Sequence, residues 1–178
     1  KQLKYSNNIV ISAPSGLALG GGFEVLVQSD YVVAHTNIVT GLVETLVGLI
    51  PAGGGTTNML WRWMQTQEAK KDPDFAPQKV FDIIGYGKTA SSPIEAMPFK
   101  FLLDKDKSIM NRNKLLSASQ DLINEKKDGY KPPKQPTFKL SGRQVRDKMY
   151  QTLENLFKEK KILGHGMEVG KKLAFVLS

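Results

Sequence analysis

Residues 16–30 read GLALGGGFEVLVQSD, in which three glycines are followed by an acidic residue and an apolar segment. Residues 9–11 and 31–34 on either side are short apolar runs beside turn residues, and this pattern predicts two buried strands. Residues 23–28 lie between them and are expected to form a short helix that begins at the glycines. Strand, glycine turn, short helix and strand in this order are typical of an α/β fold.

Two glycine patterns in the chain resemble phosphate-binding loops but do not match them. The spacing of Gly16 and Gly20–Gly22 differs from the G-x-G-x-x-G register that brings a dinucleotide pyrophosphate to a helix end. Residues 85–89, GYGKT, end like a P-loop, but Asp82 stands where that motif needs a glycine. The sequence therefore does not imply NAD or a bound nucleoside triphosphate.

The middle of the chain is expected to be helical in parts. Residues 58–66 predict a helix capped by Thr56 or Thr57, and Pro73 and Pro77 indicate a polar connection after it. Helical structure is expected again at residues 80–85. The segment SSPIEA then predicts a helix start, with Ser92 as the cap and Pro93 in the first position.

The last third predicts a different organisation. Residues 115–123 and 145–156 carry apolar side chains at helical spacing, which predicts two amphipathic helices with basic outer faces. The proline-broken segment 128–136, DGYKPPKQP, is expected to link them. Residues 172–178 are apolar and fit either a strand or a helix.

Composition limits the class of protein. The 178 residues fit one domain, and 40% hydrophobic content is enough for a packed core. The chain has no cysteine, which excludes disulfides and suits the cytoplasm, and no apolar run of membrane-spanning length. His35 and His165 have no companion at metal-ligand spacing, so no metal site is expected. The net charge of +8 comes entirely from residues 68–178, and we interpret it mainly as solubilising lysines.

Two glutamates are candidates for chemistry. Glu24 follows Gly21 by three residues, a place where the helix dipole already favours an acidic side chain. Glu44 lies in the apolar stretch VTGLVETLVGLIP, where a carboxylate is costly unless it is solvated, paired or functional.

The segments LALGGGFEVLVQSDYVVA and GLVETLVGLIPAGGGT together resemble the signature of the crotonase superfamily, the enoyl-CoA hydratases and isomerases. Weaker similarity continues through GKTASSPIEAMPFKFL. The stretch from SIMNRNKLL to YKPPKQP is similar to large bifunctional proteins of fatty-acid oxidation, in which a hydratase is fused to a 3-hydroxyacyl-CoA dehydrogenase.

The resemblance implies a role for each motif residue. The backbone N–H of Gly21 would stabilise the thioester oxygen as it gains enolate charge. Glu24 and Glu44 would hold the attacking water and carry out acid–base catalysis, and the presence of both favours a hydratase over an isomerase. Further substrate-binding positions would be Gly20, Gly22 and Gly53. Coenzyme A would enter as the substrate's thioester, with no permanently bound cofactor.

Two positions differ from the family pattern. Val43 replaces the usual proline before the second glutamate, which is expected to shift the backbone of Glu44 slightly. Phe23 occupies a position that is more often small, and it is expected to narrow the substrate pocket.

The resemblance also implies the architecture: an α/β fold in which residues 1–103 form the later part of a β-β-α spiral core and residues 104–178 a helical C-terminal region. The first residue is Lys1, and the family's upstream A-x-G-A-D turn is absent from these residues. We therefore expect that an upstream hydratase half, which supplies the second oxyanion donor, is missing and that this chain alone is weak or inactive.

Several partners and alternatives follow. The family forms trimers or dimers of trimers, so a homo-oligomer or association with an upstream hydratase half is expected, and no membrane partner is. The first alternative is a structural remnant without catalysis. The second is a basic nucleic-acid-binding module, which rests only on the charge of +8.

Overall fold

The protein is described by a computed structural model that covers residues 2–178. Its strands are β1 (Ile11–Ser12), β2 (Gly16–Leu19), β3 (Tyr31–His35), β4 (Ile38–Gly41), β5 (Thr89–Ala90) and β6 (Lys107–Ile109). Its α-helices are α1 (Gly21–Val27), α2 (Gly55–Met64), α3 (Gln67–Lys71), α4 (Phe75–Gly85), α5 (Pro93–Ala96), α6 (Leu115–Lys126), α7 (Arg143–Lys158) and α8 (Gly164–Val176). Short 3₁₀ helices lie at Glu44–Val47 and Arg112–Lys114.

The strands form two three-stranded sheets, and strands β1 to β4 alternate between them. One sheet has the order β1-β3-β6 and the other β2-β4-β5. Strands β1 and β3 pair in parallel, as do β2 and β4. Along the chain, β1 and β2 are followed by helix α1, and β3 and β4 are followed by the 3₁₀ helix Glu44–Val47 and by α2. This repeated strand, strand, helix unit is the β-β-α spiral expected from the sequence, and the α/β class is confirmed.

Helix α1 is fixed by burial of one face. Phe23, Leu26 and Val27 are at most 1% exposed, and their spacing of three and four residues places them on the side facing the core. The ring of Phe23 meets that of Phe101 edge-on at 4.9 Å. Burial of an aromatic and two aliphatic side chains holds this short helix in place, because seven residues are too few for a stable isolated helix.

The C-terminal helices pack against the core and each other. Val145, Met149 and Leu153 of α7 are buried, and Leu153 lies so close to Gly170 of α8 that a Cβ there would come within 2.4 Å of it. Strand β6 also lies after residue 103 and pairs in parallel with β3. The boundary between core and C-terminal region stays a prediction.

Most of the predicted elements are confirmed. Residues 31–34 are in a strand, residues 80–85 are helical, and Ser92 Oγ accepts the capping hydrogen bond from the N–H of Glu95 at 3.3 Å. Both predicted amphipathic helices are present. The C-terminal segment, for which the sequence allowed a strand or a helix, belongs mostly to helix α8. No helix within residues 2–178 has both the length and the apolar character that crossing a membrane requires.

Three local predictions were wrong. The cap of α2 is Gly54 in a left-handed conformation rather than a threonine, because the preceding glycines let the chain turn there without a side-chain cap. Residues 70–79 are not one polar connection: α3 and α4 occupy most of them, and Pro77 lies in the first turn of α4, where the missing N–H is tolerated. The first strand contains only Ile11 of the apolar run at residues 9–11 and ends at Ser12.

Candidate active site at the start of helix α1

Gly20 turns the chain from β2 into helix α1. Its φ of 53° and ψ of −122° are accessible to glycine and strained for other residues. The N–H of Gly20 donates to the carbonyl of Gly41 at 2.9 Å, and its own carbonyl accepts from the N–H of Glu24 at 2.9 Å. Gly21 and Gly22 therefore form the first turn of α1, where backbone N–H groups have no intrahelical partner.

The surroundings of Gly21 and Gly22 are open. Both residues are exposed, and a Cβ added to either would meet no heavy atom within 4 Å. The first N–H groups of α1 thus belong to exposed residues at the positive end of the helix dipole. This arrangement can stabilise negative charge on a ligand oxygen.

Glu24 is 8% exposed and connects α1 to the start of α2. Its Oε1 accepts hydrogen bonds from the N–H of Gly53 at 2.7 Å and from the N–H of Gly55 at 2.9 Å. A Cβ on Gly53 would lie 2.5 Å from Glu24 Oε2, so the close approach depends on glycine there. The carboxylate of Glu24 is therefore held by two backbone donors.

Glu44 has a different environment. It begins the 3₁₀ helix Glu44–Val47, and its Oε2 is buried without a hydrogen-bond partner in the described part of the chain. Its Oε1 lies 3.4 Å from the Cβ position of Gly20, at the entry to α1.

The pKa of Glu44 is raised above its ordinary value. Burial is the main cause, and the negative charge of Glu24 adds to it, while the N–H groups of Glu44 and Val43 act in the opposite direction. The charge of one glutamate thus acts on the other across the start of α1. A carboxyl group whose pKa is raised in this way is suited to holding a proton.

Phe23 and Val43, the two residues that differ from the family pattern, lie in the core and before the 3₁₀ helix, respectively. Phe23 is fully buried against Phe101, so the expectation that it narrows an accessible pocket is wrong: its ring lies in the core. Val43 has φ −118° and ψ 8° and precedes the 3₁₀ helix without disrupting it.

Two cavities lie near the glutamates. One of about 410 Å³ lies on the Gly53 side and is lined in part by Gly53, Gly54 and Gln28. The other, of about 200 Å³, is mostly apolar and separates Thr45 and Leu46, next to Glu44, from side chains of α7 and α8. The second cavity has the character of a site for a hydrocarbon chain.

The structure brings four of the six candidate residues into two direct contacts. Gly20 lies beside Glu44, and Gly53 is bonded to Glu24, while Gly21 and Gly22 follow Gly20 in the first turn. Sequence reasoning missed Gly55, whose N–H is the second donor to Glu24, and Gly41, whose carbonyl fixes Gly20. The run of three glycines at 53–55 was the only available signal for the first of these.

The chain is similar in sequence to known proteins. The family model "Enoyl-CoA hydratase/isomerase" matches residues 1–72. A protein named "Probable 3-hydroxyacyl-CoA dehydrogenase" from Bacillus subtilis (strain 168) is 31% identical over 178 residues, which are 99% of this chain and 22% of that protein. "Fatty acid oxidation complex subunit alpha" from Idiomarina loihiensis is 49% identical over 49 residues, 28% of this chain and 7% of that protein.

Solved structures share the fold. The crystal structure of an enoyl-CoA hydratase from Bacillus anthracis superposes with a TM-score of 0.53 at 21% identity, covering 98% of this chain and 55% of that one. The fold is therefore that of a crotonase-type α/β protein. The family model and the relatives support the resemblance to the crotonase superfamily that the sequence predicted. The chain spans about a fifth or less of the length of the two curated relatives described above.

Proposed function

We propose that this chain carries the acid–base residues and one oxyanion donor of an enoyl-CoA hydratase that acts in fatty-acid β-oxidation. The observation that carries the proposal is the pair Glu24 and Glu44, in which burial and then the charge of Glu24 raise the pKa of Glu44. The carboxylate of Glu24 is held by backbone N–H groups, whereas Glu44 has a buried oxygen with no hydrogen-bond partner in the described part of the chain. The names of the relatives support fatty-acid oxidation and a protein that also contains a 3-hydroxyacyl-CoA dehydrogenase.

The reaction adds water across a conjugated C2=C3 bond. One glutamate removes a proton from water as the oxygen bonds to C3, and the π electrons move through C2 to the thioester oxygen. The other glutamate then donates a proton to C2, which restores the thioester carbonyl. Proton exchange with solvent returns both carboxyl groups to their starting states, so atoms and charge balance.

The environments suggest how the two roles are divided. Glu44 has the raised pKa and is assigned as the proton donor to C2. The hydrogen bonds that Glu24 accepts from Gly53 and Gly55 both use Oε1, so Oε2 is assigned to accept a proton from water. Gly21 would donate its N–H to the thioester oxygen while that oxygen carries enolate charge.

We expect turnover by this chain alone to be slow. Gly21 provides one oxyanion donor, and loss of a single such donor costs on the order of a hundredfold in rate. Hydration of a short enoyl-CoA, followed by loss of the absorbance of the conjugated thioester, tests this. A rate equal to that of a complete hydratase would contradict the expectation.

A binding experiment tests the site whether or not the chain turns over. Titration with acetoacetyl-CoA, whose enolate mimics the intermediate, is followed by NMR of backbone amides and of glutamate carboxyl carbons. We expect the largest changes at the Gly21 amide and at the carboxyl groups of Glu24 and Glu44. Glu95, an exposed glutamate that also accepts two hydrogen bonds, is the internal control. Shifts confined to other parts of the chain would exclude the proposed site.

We also propose that this chain associates with further crotonase subunits or segments. Leu46, Val47 and Leu49 are 62–74% exposed beside the Glu44 site, and such a cluster of apolar side chains is typical of a surface that becomes covered. Light scattering coupled to gel filtration would detect a trimer, and a strictly monomeric mass up to high concentration would argue against self-association.

A further inference from the structure

A second cluster of charged residues lies away from the two glutamates. A cavity of about 220 Å³ is enclosed by residues 4–5, the end of α1, helix α2, residues 103–105 and the linker at 133–136. Four basic side chains line it: Lys4, Arg62, Lys105 and Lys134. Asp30 is the acidic residue in the lining. The walls thus carry a net positive charge.

Three of these cations bond to carbonyl oxygens. Lys4 Nζ donates to the carbonyl of Val27 at 3.3 Å, and Lys105 Nζ donates to the carbonyl of Asp30. Arg62 Nη1 donates hydrogen bonds to the carbonyls of residues 100 and 101, both at 2.8 Å. None of the ion pairs found among residues 2–178 includes Lys4, Arg62 or Lys105.

The nearby carboxylates are occupied by other donors. Asp30 Oδ2 accepts from the N–H of Val10 at 2.8 Å and from the hydroxyl of Tyr130 at 2.9 Å. The two oxygens of Asp106 accept from the N–H groups of Val32 and Leu103 at 2.9 and 2.8 Å. These carboxylates moderate the positive charge from a distance but form no direct pair with the cations.

The accumulated charge affects the cations themselves. The pKa of Lys4 is lowered to about 8, first by burial and then by the positive charges of Arg62 and Lys105, with Asp30 and Asp106 acting in the opposite direction. Burial likewise lowers the pKa of Lys105 and brings that of Arg62 to about 10. Like charges gathered in a partly buried space are costly, and a bound anion would relieve the repulsion.

We propose that this cavity binds the phosphate group of a small phosphorylated ligand. Guanidinium and ammonium donors are suited to phosphate oxygens. Both hydrogen bonds that Arg62 makes within residues 2–178 use Nη1, so Nη2 and Nε can bind a ligand. The cavity of about 410 Å³ described above shares Lys4, Tyr5 and Asn58 with it and offers Tyr5 and Phe138 as apolar and aromatic walls. The remainder of the ligand would lie there. This inference does not rest on the proposed hydratase activity.

Calorimetric titration of the chain with inorganic phosphate, pyrophosphate and adenosine 3′,5′-bisphosphate tests the proposal. We expect saturable binding that weakens as salt rises, because the attraction is between a dianion and partly exposed cations. Tighter binding of the bisphosphate than of the inorganic ions identifies a nucleotide ligand, whereas equal affinities identify a simple phosphate site. Absence of saturable binding for all three ligands overturns the proposal.

Variants locate the site. Lys4→Gln and Lys105→Gln are each expected to weaken binding about tenfold or more, since each removes a charge-assisted hydrogen bond. Lys139→Gln is the matched control, because Lys139 is an exposed lysine in the same connection between α6 and α7 and does not line the cavity. An equal loss of affinity in Lys139→Gln would indicate nonspecific attraction to a basic surface and would exclude the site.

A measurement on the unmodified chain avoids any effect of the variants on folding. The titration of the Lys4 ammonium group is followed by NMR with and without saturating phosphate. The groups that act on it are Arg62, Lys105, Asp30 and Asp106, and a phosphate dianion among them is expected to raise its pKa from about 8. An unchanged titration under saturating phosphate would place the anion elsewhere and would contradict the proposal.

Discussion

Helix α1 and the 3₁₀ helix Glu44–Val47 each carry one candidate glutamate, but they are built in opposite ways. In α1 Glu24 is buried together with Phe23, Leu26 and Val27, and its carboxylate accepts two backbone hydrogen bonds. The 3₁₀ helix has no buried residue, and Leu46 and Val47 are 67% and 74% exposed. Oε2 of Glu44 has no hydrogen-bond partner among residues 2–178. One glutamate therefore contributes to holding the fold together, while the other adds electrostatic cost and is free to react.

The largest effect is expected from Glu24→Ala. The substitution removes two charge-assisted hydrogen bonds and leaves the buried N–H of Gly55 without its acceptor, a loss of about 3–5 kcal/mol in the free energy of unfolding. Urea denaturation measures it. Glu24→Gln retains an Oε1 acceptor and is the control, with a smaller loss. If alanine and glutamine variants were equally stable, the two bonds would have no structural role.

Gly53→Ala is expected to have the next largest effect. A Cβ at this position would lie 2.5 Å from Glu24 Oε2 and 2.9 Å from its Cδ, which forces α1 and the loop apart. Overpacking of this kind costs about 1–3 kcal/mol. Gly22→Ala is the matched control: its Cβ meets nothing within 4 Å, and alanine favours a helix, so stability should hold or rise. Equal losses in the two variants would contradict the predicted contact.

Glu44→Gln is expected to stabilise the chain slightly at neutral pH. Because the folded state raises the pKa of Glu44, the folded state holds its proton more tightly than the unfolded state does. The wild-type chain therefore loses stability as pH rises above the ordinary value of 4.5, and the loss is complete above the raised pKa. The glutamine variant lacks this loss.

Thermal unfolding of both proteins across pH 4–8 tests that sign. The variant should have the higher midpoint at pH 7, and the difference should disappear near pH 4, where Glu44 is protonated in both states. A variant that is less stable than wild type at every pH would show that the carboxylate of Glu44 is stabilised by contacts in the folded state.

The smallest effect is expected from Val47→Ser. The side chain is 74% exposed, so its loss should change the free energy of unfolding by less than about 0.5 kcal/mol. Val27→Ser, which removes a fully buried valine from α1, is the contrasting variant and should cost much more. A large loss in Val47→Ser at dilute concentration would mean that this surface is covered, for instance by another copy of the chain.

The sequence was a good guide where local patterns repeat. Apolar runs and spacings predicted β3, α1 and the two amphipathic helices, because burial of one face leaves a periodic pattern. It was a poor guide at residues 70–79 and at the start of α2. Proline tolerated in the first turn of α4 and glycine in place of a capping side chain follow from chain geometry that residue types alone do not specify.

The candidate site shows the same division. The sequence by itself determined which residues stand out: three glycines, Glu24 three residues after the second of them, and Glu44 in an apolar stretch. Only the tertiary structure decided that Gly53 and Gly55 hold Glu24, that Glu44 lies beside Gly20, and that Lys4, Arg62 and Lys105 face one cavity. The physical reason is that chemical character belongs to a residue, whereas hydrogen-bond partners, burial and the charge around a group depend on segments that folding brings together from distant parts of the chain.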